Sequence, residues 1–452
     1  MTRRHSVRLD RILWSLVVVI VVTWVAGVQE LPRSAWGQEK GPIITLPDAI
    51  RLALERNLDV QLAREEVEFA RQRQNEARTG FLPKLSAEYG YRRPNSTETK
   101  IGGVTLESQD QNEYHLTGTV TQPIFTGFAT LSTYELARLG LDSAKIQLDR
   151  ARLDIILRVK QSYLLIVQSQ KIREVAEQSV RQLQENLKVA ENFYRVGLSP
   201  KIDVLDAETR LADAELQLIR ATNDVAVAKA NFNTVLRQPV DTLVEVEDIL
   251  STVRYERSYE QSQETALKHR PEVLDAETQV ASAEQQITFA KSGYYPTISF
   301  AANYYRLGDS PDVNGSKFTE REAWDVGALA TWTLFEWGKT RYAVFQQEAR
   351  LRQAKETLEK VKDSVRLDVK SEYLTLQAAY DAIAVARKAV ISAEENFRIS
   401  TERYKEQVAT ATEVLDAQTR LTQAKSNYTN TIAIFNVERA RLVRAMGLEE
   451  EI

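Results

Sequence analysis

Hydrophobic positions along the chain follow two periods, and the places where the period changes divide it into elements. Residues 48–79, 129–195, 202–236, 260–292, 340–406 and 412–446 keep helical spacing with few breakers inside. The stretch 129–195 has no proline and one glycine, Gly140; as a single helix it reaches about 100 Å. Gly197-Leu198-Ser199-Pro200 ends it. A small globular domain has little use for such a helix, and the chain offers a second at 340–406.

In four segments the period drops to two. Over 84–93, Leu85, Ala87, Tyr89 and Tyr91 alternate with Ser86, Glu88, Gly90 and Arg92. Over 113–125, Tyr114, Leu116, Val120 and Ile124 alternate with Glu113, His115, Thr117, Thr119 and Thr121. Segment 297–306 sets Ile298, Phe300, Ala302 and Tyr304 opposite Thr297, Ser299 and Asn303. Segment 323–335 sets Trp324, Val326, Ala328, Ala330, Trp332 and Leu334 against Asp325, Gly327, Thr331 and Thr333. Such alternation predicts strands with one apolar and one polar face. Their lengths match the roughly 9–11 residues that cross a bilayer as a tilted strand. Tyrosine and tryptophan near the ends fit the aromatic girdles of outer-membrane barrels. The polar stretches 94–112 and 307–322 read as external loops. An open sheet edge in lipid leaves backbone groups unsatisfied, so four strands require further copies. Two copies give a filled barrel and three a wider one; the strands alone leave dimer and trimer open.

The chain carries the same design twice. Val204-Leu205-Asp206-Ala207 recurs as Val414-Leu415-Asp416-Ala417 at an offset of 210, and Phe125 recurs as Phe335. Ala77–Pro83 (ARTGFLP) recurs as Ala290–Pro296 (AKSGYYP) at an offset of 213. The two returning helices show heptads. Val204, Leu211, Leu218, Val225 and Phe232 run beside Ala207, Ala214, Ala221, Ala228 and Val235. In the second copy Val414, Leu421, Tyr428, Phe435 and Leu442 run beside Ala417, Ala424, Thr431, Glu438 and Ala445. That is coiled-coil spacing with one column of small residues. It suits a curved wall of closely packed helices; an ordinary coiled-coil dimer is the alternative, and the heptads alone do not separate them.

The N-terminus adds an address. Arg3, Arg4, Arg8 and Arg11 precede an apolar run from Ile12 to Ala26, and small residues follow. This reads as a signal peptide spanning residues 1–37, cleaved after Gly37 or else Gly27; an uncleaved anchor helix is the alternative. Its removal takes five arginines and two acidic residues and moves the net charge from −4 to −7. A mildly acidic exported chain gives no reason to expect nucleic-acid binding. Cysteine is absent, which excludes disulfides, thiolate metal sites and a lipid-anchoring thiol. The three histidines lie far apart in sequence, so no metal site, cofactor or histidine catalysis is expected.

The remaining candidate chemistry is carboxylate. Asp203 and Asp206 open one returning helix, and Glu413 and Asp416 open the other. A spacing of three puts each pair on one helical face, in the first turn where the helix dipole favours negative charge. A glycosidase pair would need a rigid concave pocket, which coiled-coil first turns do not provide, so an enzyme is not expected. A periplasmic coiled-coil scaffold or adaptor without a barrel explains the heptads but leaves the strands unexplained.

FLP at 81–83, PIF at 123–125, LFEWG at 334–338, RVGLSPKIDVLDAETRL from Arg195 and RYKEQVATATEVLDAQTRL from Arg403, in this order and duplication, resemble the outer membrane efflux protein (TolC) family over roughly residues 45–447. The resemblance implies an α plus membrane-β fold: a homotrimer with a twelve-stranded β-barrel in the outer membrane lipid, continuous with a twelve-helix α-barrel in the periplasm. Each chain would give four strands and long coiled-coil helices in two repeats, 38–237 and 262–447, with an equatorial linker at 238–261 and a short tail at 448–452. The implied role is the exit duct of a tripartite efflux or type I secretion system, docked through a periplasmic adaptor to an inner-membrane pump. Many relatives carry a lipidated N-terminal cysteine; this chain resembles the branch without one. By resemblance Asp203, Asp206, Glu413 and Asp416 ring the periplasmic mouth. Tyr404, with Tyr194 as its repeat equivalent, helps hold the mouth shut by hydrogen bonding. The arginine that completes the lock falls at Ala409, with Arg195, Lys201, Arg403 and Lys405 as nearby basic residues. Gly197, Leu198, Ser199, Lys201, Gln407 and Val408 at the turns meet the adaptor.

Overall fold

The computed structural model describes residues 43–95, 98–107 and 110–449. The expected signal peptide, residues 1–37, lies outside the described residues, as does the end of the expected tail. In chain order the elements are β1 (Ile43–Ile44), α1 (Leu46–Arg56), α2 (Leu58–Thr79), β2 (Lys84–Arg92), β3 (Glu98–Ile101), β4 (Val104–Glu107), β5 (Glu113–Thr126), α3 (Ala129–Arg195) and α4 (Lys201–Val235). They continue with β6 (Glu245–Val246), α5 (Tyr259–His269), α6 (Pro271–Lys291), β7 (Thr297–Gly308), β8 (Glu322–Thr331), α7 (Lys339–Lys405) and α8 (Ala411–Ala445).

The six long helical stretches and four strands fall where the periods put them, with three differences. Two expected helices are broken in two. Asn57 ends α1 and caps α2, its side chain accepting from the Asp59 N–H at 2.8 Å while its own N–H reaches the Ala53 carbonyl. At the corresponding place Pro271 lacks an N–H and drives the preceding residue out of helical geometry, so α5 stops at His269 and α6 begins at Pro271. Asn57 and Arg270 are related by the same offset of 213, so the break belongs to the repeat. The stretch 94–112, expected as loop, contains the β3–β4 hairpin. Finally, β8 stops at Thr331 and leaves Trp332 to Phe335 outside the ladder.

The four long strands form one antiparallel sheet in the order β2-β5-β7-β8. Its register gathers the apolar positions of all four strands on one face: Leu85 opposes Val120, Val120 opposes Ala302, and Ala302 opposes Val326. The other face collects Ser86, Thr119, Asn303 and Asp325, with Asn303 Nδ2 donating to Asp325 Oδ1 at 3.0 Å. Both outer strands are bare along one edge. Large apolar side chains such as Leu85 and Trp324 stand exposed on them.

Below the sheet, α3 is the spine. Its N-terminal part packs on α2, through Leu141 and Ala144 against Val67 and Ala70, and on α6, where Ser143 Oγ donates to Asp275 at 2.6 Å. Its C-terminal part lies between α4 and α8, while α7 packs on α6 and then on α8. The apolar core is likewise doubled. One cluster joins Ile155, Val159, Tyr163 and Ile166 to Phe232 and Leu236; the other joins Val365, Val369 and Leu376 to Phe435 and Leu442. Tyr163 ties the first to the linker, donating to the Ile44 carbonyl at 3.2 Å and accepting from the Glu247 N–H at 2.8 Å. Among the described residues, no helix is long and apolar enough to cross a membrane.

Candidate functional site at the hairpin tips

The α3–α4 and α7–α8 hairpins turn in the same way. Gly197 (φ 75°) and Gln407 (φ 62°), equivalent by the offset of 210, both take the left-handed conformation. Leu198 N–H then donates to the Phe193 carbonyl at 2.8 Å, and Val408 N–H to the Arg403 carbonyl at 2.9 Å. Each is the hydrogen-bonded stop that glycine favours; the second hairpin makes it with glutamine. Leu198 and Val408, also equivalent, project as exposed apolar knobs, and Lys201 stands exposed beside the first. Ser199 is half-buried in its turn. The next helix starts differently in each copy. Thr410 Oγ1 accepts from the Glu413 N–H at 3.3 Å, whereas Pro200 has no side-chain cap to offer.

The two tyrosines expected to act alike are placed differently. Tyr404 is 7% exposed, wedged among Val189, Phe193, Phe397, Ala411 and Val414, with the Phe193 ring 5.4 Å away. It therefore ties the second hairpin to the first. Its Oη finds no hydrogen-bond partner among the described residues. Burial pushes the Tyr404 phenol above its ordinary range, and the nearby Asp203 charge pushes it further. Tyr194 is 48% exposed.

The carboxylates also divide. Asp203 is held above the usual carboxylate range, first by burial and then by the charge of Asp206. Asp416 meets Arg210, whose Nη2 lies 3.3 Å from its Oδ1. Glu413 has Arg403 at 3.9 Å, and Arg403 also donates to the Val408 carbonyl at 3.2 Å. Of the four basic residues expected nearby, Arg403 alone reaches one of the acids; Arg195, Lys201 and Lys405 form no ion pair among the described residues. Arg210 was missed. It sits four residues after Asp206, the spacing of a pair within one helix, yet it reaches across to the other hairpin.

Above the tips the seam between the hairpins is polar. Gln182 and Gln418 are bonded at 2.7 Å, Ser179 and Thr422 at 3.1 Å, Gln178 and Lys425 at 3.3 Å, and Gln168 and Asn430 at 2.8 Å. Gln418 is 1% exposed, and its Oε1 has no donor among the described residues. Within each hairpin the helices share a large apolar cluster. Hydrogen bonds that water can replace cost little net to exchange, whereas apolar burial is lost outright.

The sequence profile described as outer membrane efflux protein matches residues 49–236 and 263–448, one block for each copy of the design. The chain belongs to the outer membrane efflux protein family. Among curated relatives, it is 23% identical to the outer membrane efflux protein BepC of Brucella suis, over 83% of this chain and 79% of BepC. It is 24% identical to the alkaline protease secretion protein AprF of Pseudomonas aeruginosa, over 82% and 79% of the two chains. Its fold matches the crystal structure of the outer membrane protein VceC from Vibrio cholerae with a TM-score of 0.77 and 20% identity, covering 89% of this chain and 96% of VceC. The strands, the long helices and the paired turns of this efflux protein are thus the family's architecture.

Proposed function

We propose that three copies of this outer membrane efflux protein close into one duct that carries substrates from an inner-membrane pump across the periplasm and out of the cell. The observation that carries the reading is the sheet: four strands, apolar on one face and polar on the other, bare at β2 and β8. In lipid such edges must be paired, and pairing β8 of one copy with β2 of the next gives twelve strands in three copies. The helices make the same demand. Ile219 and Val227 on α4, and Leu367, Val385 and Ile391 on α7, stand exposed on the two outer helices of the wall. Cyclic closure covers them, and a ring of three satisfies sheet and wall together.

In this reading residues 1–37 direct export and are removed, and residues 238–261 form part of a belt around the wall. Asp203, Asp206, Glu413 and Asp416 gather at the periplasmic mouth, where rings of acidic side chains favour cations. Tyr404 fastens the closed mouth, aided by Tyr194 from the first hairpin. The turns with Gly197, Leu198, Ser199, Lys201, Gln407 and Val408 receive the tip of a periplasmic adaptor, which couples the duct to its pump. Sorting of substrates then belongs to the pump. No covalent step is assigned to the chain. The test is the mass of the detergent-purified chain together with its single-channel current in a planar bilayer. A trimer passing small cation-selective currents is expected; a species soluble without detergent that passes none would return the chain to a periplasmic scaffold.

A further inference from the structure

The two copies of the design cover their cores differently at one place. In the first copy, β1 runs into Thr45, the N-cap of α1, and pairs in parallel with β6, Ile43 with Glu245 and Ile44 with Val246. Three side chains hold β6 there. Tyr163 Oη donates to the Ile44 carbonyl at 3.2 Å and accepts from the Glu247 N–H at 2.8 Å, so it spans both strands. Gln170 Nε2 and Lys229 Nζ donate to the two carboxylate oxygens of Glu245 at 3.3 and 2.8 Å. Val246 packs on the first core cluster.

The second copy keeps the seat but not the strand. Ser258 caps α5 as Thr45 caps α1, and Glu256-Arg257 stand at the place of β1. Tyr373, Tyr380 and Arg439 stand at the places of Tyr163, Gln170 and Lys229. Each is a hydrogen-bond donor, and none of the three makes a hydrogen bond or ion pair among the described residues. Glu256-Arg257 likewise pair with no strand among the described residues. Between residues 254–258 and α7 lies a cavity of about 410 Å³, lined by Tyr255, Tyr373, Leu376, Tyr380 and Phe435, with Arg254 over the Tyr380 ring at 5.9 Å. Its rim carries both signs, Arg254 and Arg257 with Glu256 and Asp381. One charge is reversed from the first copy: Asp381 replaces Lys171, which meets Asp248 just past β6 at 3.1 Å.

We propose that this seat takes a short extended strand from another periplasmic polypeptide, laid parallel to residues 256–257. The strand carries an acidic residue toward Tyr380 and Arg439, an apolar residue next to it, and a basic residue two places beyond that toward Asp381. A bare strand edge supplies backbone hydrogen bonds, and pockets for alternate side chains choose among sequences. The aromatic floor buries the apolar residue as the first core cluster buries Val246, and Arg439 neutralises the acid as Lys229 neutralises Glu245. That the polypeptide is periplasmic rests on the channel reading; the seat itself does not.

The test uses the detergent-purified full chain and a fluorescein-labelled peptide that copies residues 242–250 with Asp248→Lys. Fluorescence anisotropy should show saturable binding, one peptide per protomer. Tyr373→Phe and Arg439→Met, which remove the donors and keep the bulk, should each weaken it several-fold. The peptide that keeps Asp248 should bind a few-fold more weakly. Lys229→Gln, in the filled seat, should leave the affinity unchanged, as should removal of residues 449–452. No binding, equal affinity for the two peptides, an affinity insensitive to Tyr373→Phe and Arg439→Met, or a loss in Lys229→Gln would each overturn the proposal. So would a gain on removing residues 449–452, which would make the chain's own tail the occupant.

Discussion

Arg210 and Asp416 stand 3.3 Å apart across the two hairpins, one on α4 and the other on α8. They make a direct ion pair between the hairpins at the tips. Both side chains remain about half exposed, so the pair is worth about 0.2–1 kcal/mol.

Arg210→Ala and Asp416→Ala are each expected to raise basal single-channel current, by up to about fivefold in the open-to-closed ratio per protomer. The double variant should add little to either single change, because each removes the same link. Asp206→Ala combined with Asp416→Ala should also raise the current and weaken block by multivalent cations. Planar-bilayer recordings at low and high salt provide the check, and the Arg210 effect should shrink at high salt. Fully additive single effects would show that Arg210 acts elsewhere.

Asp203 carries the pH dependence of the tip. Its raised carboxyl, caused by burial and then by Asp206, means that charge at this position opposes the packed state. The stabilisation is present below the ordinary value of 3.8 and is lost as pH rises through the folded value. Asp203→Asn should therefore steady the closed tip at neutral pH, make no difference in strong acid, and reduce cation block at neutral pH by removing a charge from each protomer. Current and block titrated with pH read both effects; an Asn variant that is leakier at neutral pH would contradict this placement.

Gln407 holds the left-handed position that glycine holds in the first hairpin. A side chain there costs about 1 kcal/mol. Gln407→Gly should raise the thermal or urea stability of the second hairpin by about that amount, and Gly197→Ala should lower that of the first by a similar one. Proteolysis at the turns, followed with increasing urea, separates the two hairpins. Equal responses to both substitutions would mean that the turns do not limit local opening.

The fold was legible because periodicity reports it directly. The α3 helix and the apolar and polar faces of the strands follow from spacing, and the repeat extended each conclusion to the second half. The helix breaks at Asn57 and Pro271 were less visible, since asparagine is tolerated within helices and a proline at a first turn looks like an ordinary start. The site was only partly legible. Spacing puts Asp203 and Asp206 on one face, but it does not show that Asp203 comes near Tyr404 of the other hairpin. Arg210 was not singled out at all, and Tyr194 looked like a twin of Tyr404. Which equivalent residue ends up buried depends on how the hairpins pack, and the repeat, being symmetric, carries no information about that asymmetry.

Glu272 is a largely buried carboxyl flanked by two arginines. Burial alone would raise its carboxyl, but Arg270 and then Arg444 outweigh burial and bring it below the ordinary 4.5. Its two oxygens accept from Arg270 Nε at 3.0 Å and Arg444 Nη2 at 2.9 Å, and Arg444 Nε also donates to Asp154 at 2.8 Å. This network ties α3, α6 and α8 together. A depressed carboxyl stabilises above its ordinary value, and that stabilisation is lost as pH falls through the folded value. Arg444→Ala leaves Glu272 largely buried with one cation fewer and should cost about 3 kcal/mol at neutral pH. Glu272→Gln should cost less and flatten the acid limb of the stability curve. Thermal melts of the detergent-solubilised protein across pH distinguish these. If Glu272→Gln leaves the acid limb as steep as before, acid sensitivity arises outside this network.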